Sequence, residues 1–118
     1  MQRFMFKSKI HRATVTGANL DYEGSLTIDE DLLDAADILP NEQVHVWDVT
    51  SGNRLITYAL AGPRGTGIMC VNGAGAHKVK VGNIIIVATY TMMLSKKAKK
   101  YKPVVILVDQ NNQIKEDD

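Results

Sequence analysis

The dipeptide Gly24-Ser25 and the glycine-rich segment at residues 72–76 contain the residue types with the most distinctive chemical use. A serine hydroxyl becomes a nucleophile when a neighbouring group activates it. Glycine has no Cβ, so it allows unusual backbone conformations and a close approach of a ligand to the main chain. Taken alone, Gly-Ser indicates a turn, and residues 72–76 indicate either a turn or a loop that contacts a ligand.

The spacing of the other candidate residues does not favour a nucleotide or a metal site. Residues 62–67 lack the Gly-Lys-Ser/Thr ending of a phosphate loop, and residues 72–76 are not followed by the helix and strand of a dinucleotide fold. None of the three histidines is at ligand spacing from another or from the single cysteine, Cys70. We therefore predict no metal and no nucleotide cofactor.

These residues must be positioned by a chain that the sequence predicts to be mainly β. Asp29 is a plausible N-cap of a short helix that ends by Pro40. Residues 92–101 are predicted to be a weak helix or a loop. Alternating apolar residues predict strands within residues 3–16, 26–28, 43–49, 54–60, 68–71, 84–90 and 104–108. Many short strands favour a small closed barrel, whose strand order the pattern leaves open.

Composition bounds the class of protein. A chain of 118 residues with 45% hydrophobic residues fits one domain, residues 1–118. A net charge of +1 argues against nucleic-acid binding by bulk electrostatics. The longest apolar run, residues 84–88, is far shorter than a membrane span, and early charges break any signal-peptide pattern. A single cysteine favours a reducing cytoplasm.

Several separate motifs stand along the chain in a definite order and spacing. They comprise Lys9, Ile10, His11, Arg12, Tyr22, Glu23, Gly24, Ser25, Ile28, Asp29, Asp34, Ala35, Ala36, Trp47, Gly52, Arg54, Thr57, Tyr58, Val71, Asn72, Gly73 and Ala74. In order and in spacing they resemble the motifs of the pyruvoyl-dependent aspartate 1-decarboxylase family, and the resemblance runs over nearly the whole chain, up to about residue 108. It implies a small six-stranded double-psi β-barrel with short helices, assembled as a homotetramer with active sites between subunits.

The resemblance also implies that the chain cleaves itself between Gly24 and Ser25, which gives a β chain (1–24) and an α chain (25–118). The Ser25 hydroxyl would attack the Gly24 carbonyl, and Thr57 resembles the donor that supports this step. The resulting ester would break down to a pyruvoyl group derived from Ser25, without pyridoxal phosphate or a metal. Some relatives use a helper protein for maturation. We expect Gly24 in a backbone region that other residues disfavour, with the hydroxyl near its carbonyl.

The implied reaction converts L-aspartate to β-alanine and CO2, for pantothenate and coenzyme A synthesis. The pyruvoyl group would form a Schiff base with the substrate amine and accept the electrons that CO2 leaves behind. Tyr58 resembles the proton donor, and Arg54 and Lys9 resemble the cations that bind substrate carboxylates. The other residues with an implied role are Thr57, Asn72, Gly73, Ala74 and Gly75 as substrate contacts, and His11, Tyr22 and Trp47 as pocket support.

One residue departs from the family, and two alternatives stay open. Gly75 stands where the family commonly has alanine, which bears on the shape of the substrate loop. A non-catalytic β-barrel binding module, such as a swapped-hairpin DNA-binding domain, would fit the small size and the lysine run at residues 96–100, although the near-neutral charge opposes it. A decarboxylase of the same kind could also act on another acidic amino acid.

Overall fold

The computed structural model of the unprocessed chain describes residues 1–115. Within that range the chain forms eight strands, two short α-helices and one 3₁₀ helix. The strands are β1 (Gln2–Thr14), β2 (Gly17–Asn19), β3 (Ser25–Asp29), β4 (Gln43–Asp48), β5 (Arg54–Gly62), β6 (Met69–Asn72), β7 (Ile84–Leu94) and β8 (Val104–Leu107). The helices are α1 (Glu30–Ala36), the 3₁₀ helix (Gly73–His77) and α2 (Ser95–Ala98).

Neighbouring strands hydrogen-bond in the order β2-β6-β3-β5-β4-β7-β1-β8. Parallel pairs join β1 to β8, β2 to β6 and β3 to β5, and the other pairs are antiparallel. The predicted class, a mainly β chain with short helices, is confirmed. The described residues form eight strands where the resemblance implied six barrel strands, and the strands at the two ends of this order, β2 and β8, have only three and four residues.

The core lies on one side of the strands, as the alternation of apolar residues predicts. In β4, Val44 and Val46 are buried while His45 and Trp47 are only half-buried. The centre of the core is formed by large side chains that are fully buried: Ile10, Val15, Leu26, Ile28, Leu32, Leu33, Val44, Val46, Met69, Val71, Val79 and Ile85.

Asp29 connects the end of β3 to α1 and to the loop after β5. Its Oδ1 accepts hydrogen bonds from the Asp31 and Gly65 amides at 2.9 and 3.1 Å, and its Oδ2 accepts one from the Gly67 amide at 2.9 Å. The side chain is only 2% exposed, so these bonds satisfy a buried carboxylate. The predicted N-cap is therefore confirmed, and the same residue fixes the far end of the strand that begins at Ser25.

The prediction for residues 92–101 was wrong at its start. β7 continues to Leu94 because its last residues pair with the beginning of β1, where Gln2 lies opposite Leu94 and Phe4 opposite Met92. Only Ser95–Ala98 is helical. The prediction that residues 84–90 are buried on both sides holds from Val87 to Thr89, but Ile84 and Ile86 are only half-buried and Tyr90 is 40% exposed.

Candidate active site

Ser25 is the first residue of β3, and its side chain is held in place by polar neighbours. The register of β3 against β6 places it directly opposite Asn72. Asn72 Nδ2 donates to Ser25 Oγ at 3.0 Å and to Thr27 Oγ1 at 3.1 Å, so the amide is fixed by two acceptors. Ser25 Oγ donates in turn to the Glu23 carbonyl oxygen at 3.3 Å. With 1% exposure, the hydroxyl is a buried and oriented group.

The backbone strain expected at Gly24 lies instead at Gly73. The peptide bond between Gly24 and Ser25 is trans, and the left-handed glycine at this site is Gly73, with φ +69°. A Cβ on Gly73 would lie 2.7 Å from both N and Cα of Gly24 and 2.9 Å from the Tyr22 carbonyl oxygen. A Cβ on Gly24 would come no nearer than 4.0 Å to the Asn72 carbonyl oxygen. Only glycine at position 73 therefore lets the loop press against residues 22–24.

The Ser25 hydroxyl donates its hydrogen bond to the carbonyl oxygen of Glu23, one peptide before Gly24. The Asn72 amide and the Glu23 carbonyl flank the hydroxyl and fit its acceptor and donor roles at once. The expected closeness of the hydroxyl to the Gly24 carbonyl carbon stays a prediction.

A cavity of about 290 Å³ opens beside Ser25. This is close to the lower end of the volumes that small-molecule sites occupy, roughly 300 Å³. Its wall brings together six of the predicted residues, Gly24, Ser25, Thr57, Asn72, Ala74 and Gly75, with four others, Leu55, Ile56, Val71 and Lys78. Gly73 lies behind this wall, against Gly24.

Arg54 and Trp47 border a neighbouring hollow rather than the Ser25 cavity. The Arg54 guanidinium carbon lies 5.3 Å from the centre of the Trp47 ring, a cation–π arrangement between cross-strand partners. Leu55 and Ile56 line both this hollow and the Ser25 cavity, so they form the ridge between the two. The predicted carboxylate binder thus lies on the strand next to β3, but it does not line the Ser25 cavity, and Leu55 and Ile56 lie between the two hollows.

Lys9 and His11 lie on β1. In the order of the strands, β7, β4 and β5 lie between β1 and β3. The Lys9 Nζ atom is 5.9 Å from the centre of the Phe6 ring. His11 Nδ1 is buried and has no hydrogen-bond partner within residues 1–115. Burial, with help from the neighbouring charges of Lys9 and Arg12, lowers the pKa of His11 from its ordinary value.

The two predicted tyrosines do not line the Ser25 cavity. Tyr58 is half-buried on β5 opposite Gln43, one residue beyond Thr57. The register of β3 on β5 pairs Leu26 with Ala59, so the backbones of Ser25 and Tyr58 lie at the same level. Tyr22 is 57% exposed, and its carbonyl oxygen lies beside Gly73.

Lys78 is the residue that sequence reasoning missed. It follows the 3₁₀ helix directly and lines the Ser25 cavity. Its only sequence signal is a cation placed immediately after a glycine-rich loop. Nothing in a linear pattern shows that the loop folds this cation back toward Ser25.

Residues 1–115 contain no cluster of three or more histidine, cysteine, aspartate or glutamate side chains that could hold a metal ion. In the same range, no helix has both the length and the apolar character needed to cross a bilayer.

Comparison with known proteins places these features in a family. The family model described as aspartate decarboxylase matches residues 1–115. The chain is similar to proteins named aspartate 1-decarboxylase from three bacteria. The protein of Thermoanaerobacter pseudethanolicus is 58% identical over 112 residues, covering 95% of this chain and 96% of that protein. The protein of Myxococcus xanthus is 55% identical over 114 residues, with 97% and 88% covered.

The third relative, from Syntrophus aciditrophicus, is 54% identical over 115 residues and is covered over 99% of its length. Similarity of this kind extends from the strands to the Ser25 segment and the 72–75 loop, so it includes the whole candidate site. The resemblance seen in the sequence is confirmed: the chain is an enzyme that belongs to the aspartate decarboxylase family.

Proposed function

We propose that this enzyme first cleaves its own Gly24–Ser25 bond and then decarboxylates L-aspartate to β-alanine and CO2. The observation that carries the proposal is the buried Ser25 hydroxyl, oriented by Asn72 at the wall of a cavity of about 290 Å³. A structural serine in a turn would need neither the cavity nor the amide held by two acceptors. The product would supply pantothenate and coenzyme A synthesis in the cytoplasm.

The first step of the proposed maturation is a reaction between neighbouring groups of the chain itself. Ser25 Oγ leaves its hydrogen bond to Glu23 by rotating about the Cα–Cβ bond, and it attacks the Gly24 carbonyl carbon. The C–N bond breaks as the C–O bond forms, and the hydroxyl proton passes to the freed amine. Loss of the Ser25 Cα proton expels the Gly24 carboxylate, and water then releases ammonia from the product. Thr57, on the cavity wall, is the proposed donor to the developing oxyanion.

The residues around Ser25 fit a pyruvoyl group at this position. The keto oxygen would come from water and replace the nitrogen on the Ser25 Cα, and the Asn72 amide, which now donates to Ser25 Oγ two bonds from that carbon, is a nearby donor for it. Because residue 73 is glycine, the loop packs directly against residues 22–24. The bond to be cleaved therefore adjoins a closely packed surface. When formed, the group supplies an electrophilic carbonyl and an electron sink next to the substrate amine. No pyridoxal phosphate and no metal enter the proposal.

The remaining roles belong to side chains that bind substrate or move a proton. Asn72, Ala74 and Gly75 border the space that the substrate would fill. Leu55, Ile56 and Val71 form an apolar part of that wall, which would keep water from the departing carboxylate. Tyr58 does not line the cavity, but its backbone lies level with Ser25 on the adjacent strand. We propose it as the donor of the proton that replaces CO2, since a phenol can act as an acid in a water-poor site.

A second copy of the chain completes the proposed site. Arg54, Lys9, Trp47 and His11 lie outside the Ser25 cavity of the same subunit. The outward side of the β1-β7-β4-β5 strands exposes large apolar side chains, with Phe4 at 77%, Ile56 at 60% and Met92 at 54%. Such patches mark association surfaces. We therefore propose a homotetramer in which this surface is buried and a neighbouring subunit brings the cations to Ser25.

The direct test is product analysis on the purified protein. The protein is incubated separately with L-aspartate and L-glutamate, and β-alanine, 4-aminobutyrate and CO2 are measured. β-Alanine from aspartate alone is expected, whereas 4-aminobutyrate would mean a decarboxylase for another acidic amino acid. Ser25→Ala should give no product, while the control Ser95→Ala, which alters a serine bonded to Arg3 and Met1, should remain active. Repeating the assay with cell extract shows whether a helper protein speeds maturation.

A further inference from the structure

The cation at the wall of the Ser25 cavity is Lys78, and its backbone is fixed on both sides. The Lys78 amide donates to the Gly75 carbonyl oxygen at 2.9 Å, and its own carbonyl accepts from Asn53 Nδ2 at 2.9 Å. The next residue, Val79, is fully buried in the core. The main chain of Lys78 is therefore anchored, while its side chain is exposed and free to reach into the cavity.

The positive charge of Lys78 matters at this cavity because the proposed substrate carries carboxylates. Among the described residues that line the cavity, Lys78 is the only one with a charged side chain. Within residues 1–115, no carboxylate lies within ion-pair distance of its ammonium group. Arg54, the other cation close to this region, stacks on Trp47 behind the ridge of Leu55 and Ile56. A substrate with two carboxylates would thus meet one positive group in the cavity of each subunit.

We propose that Lys78 is a further substrate-binding residue, whose ammonium group takes a carboxylate of the acidic amino acid that reacts at Ser25. The proposal rests on the function proposed above and adds a third cation to Arg54 and Lys9, supplied by the same subunit as Ser25. A lysine suits this position because it is a compact charge on a flexible stem, which can follow a carboxylate without a fixed bidentate geometry. Lys78 takes no part in the cleavage step, so its effect is confined to substrate affinity.

The test compares Lys78→Gln with Lys80→Gln, a control that removes an equal charge from an exposed lysine two residues further on. Both variants should be cleaved to the same extent as the unmutated protein by denaturing mass spectrometry. Lys78→Gln should raise KM for aspartate about threefold to fivefold with kcat within about twofold, the range expected for a charge pair open to solvent. Lys78→Arg should restore most of the affinity, and Lys80→Gln should leave KM unchanged.

Succinate provides a second readout that does not depend on turnover. This dicarboxylate has no amine, so it can occupy the cavity without reacting, and Lys78→Gln should weaken its inhibition by a factor similar to the change in KM. Equal KM values for Lys78→Gln and Lys80→Gln, or an unchanged inhibition constant for succinate, would overturn the role of Lys78. If the unmutated protein neither cleaves nor decarboxylates aspartate, it is the proposed function itself that fails.

Discussion

Replacing Gly73 by alanine tests whether the close contact between the 72–75 loop and the Gly24–Ser25 bond positions that bond for cleavage. The added Cβ would lie 2.7 Å from N and Cα of Gly24 and 2.9 Å from the Tyr22 carbonyl oxygen. These are backbone atoms, which cannot swing aside as the end of a flexible side chain can. Either the loop or residues 22–24 must therefore move.

The expected loss of folding free energy in Gly73→Ala has two parts. An alanine at φ +69° is in the left-handed region, which costs about 1–2 kcal/mol. The steric overlap adds about 1–3 kcal/mol, as overpacking typically does. For the reaction, a shift of the reacting groups by about 1 Å can slow an intramolecular step about 100-fold. We therefore expect Gly73→Ala to fold with reduced stability and to cleave about 100-fold more slowly.

Gly65→Ala is a closely matched control. Gly65 has a similar φ of +75°, but a Cβ there would meet nothing within 4 Å. This variant should lose only the conformational part of the stability, about 1–2 kcal/mol, and should cleave at the normal rate. Chemical denaturation measures the stability of both variants, and mass spectrometry of timed samples measures cleavage. Equal cleavage rates for Gly73→Ala and Gly65→Ala would refute the idea that this contact positions the bond.

Two other changes probe the later step and the fold. Tyr58→Phe should still be cleaved but should lose most of its decarboxylation activity, because only the second step uses the phenolic proton. Tyr90→Phe is the control. Loss of cleavage in Tyr58→Phe would instead assign Tyr58 to the cleavage step. The lowered pKa of His11 means that the unfolded chain takes up a proton near pH 6.5 while the folded chain resists it. The free energy of unfolding should therefore fall as the pH drops from about 7.5 to about 5.5, and it should fall less in His11→Gln. Urea denaturation at the two pH values measures both changes. An equal fall in the two proteins would contradict this prediction.

The sequence allowed local features to be predicted because they depend on a few adjacent residues. Asp29 caps α1 as expected from the acids that follow it. The alternation in residues 43–49 predicted which side of β4 is buried. The family motifs also identified the Ser25 segment and the 72–75 loop, which β3 and β6 then bring together by pairing Ser25 with Asn72.

Other features could not be predicted because they depend on contacts between distant parts of the chain. The extension of β7 to Leu94 comes from pairing with residues more than 80 positions away in β1. The left-handed conformation of Gly73 depends on the approach of residues 22–24, which no local pattern records. Lys78 lines the cavity while Asn53, 25 positions earlier in the turn before β5, holds its carbonyl oxygen.

Denaturing mass spectrometry of the purified protein is the most direct test of the central claim that Ser25 is both the cleaving group and the source of the reactive carbonyl. The account predicts two chains, residues 1–24 and 25–118, with the second lighter by one ammonia than the same chain with serine at its start. Ser25→Ala should remain a single chain of full length. A single intact chain that converts aspartate to β-alanine would contradict the account.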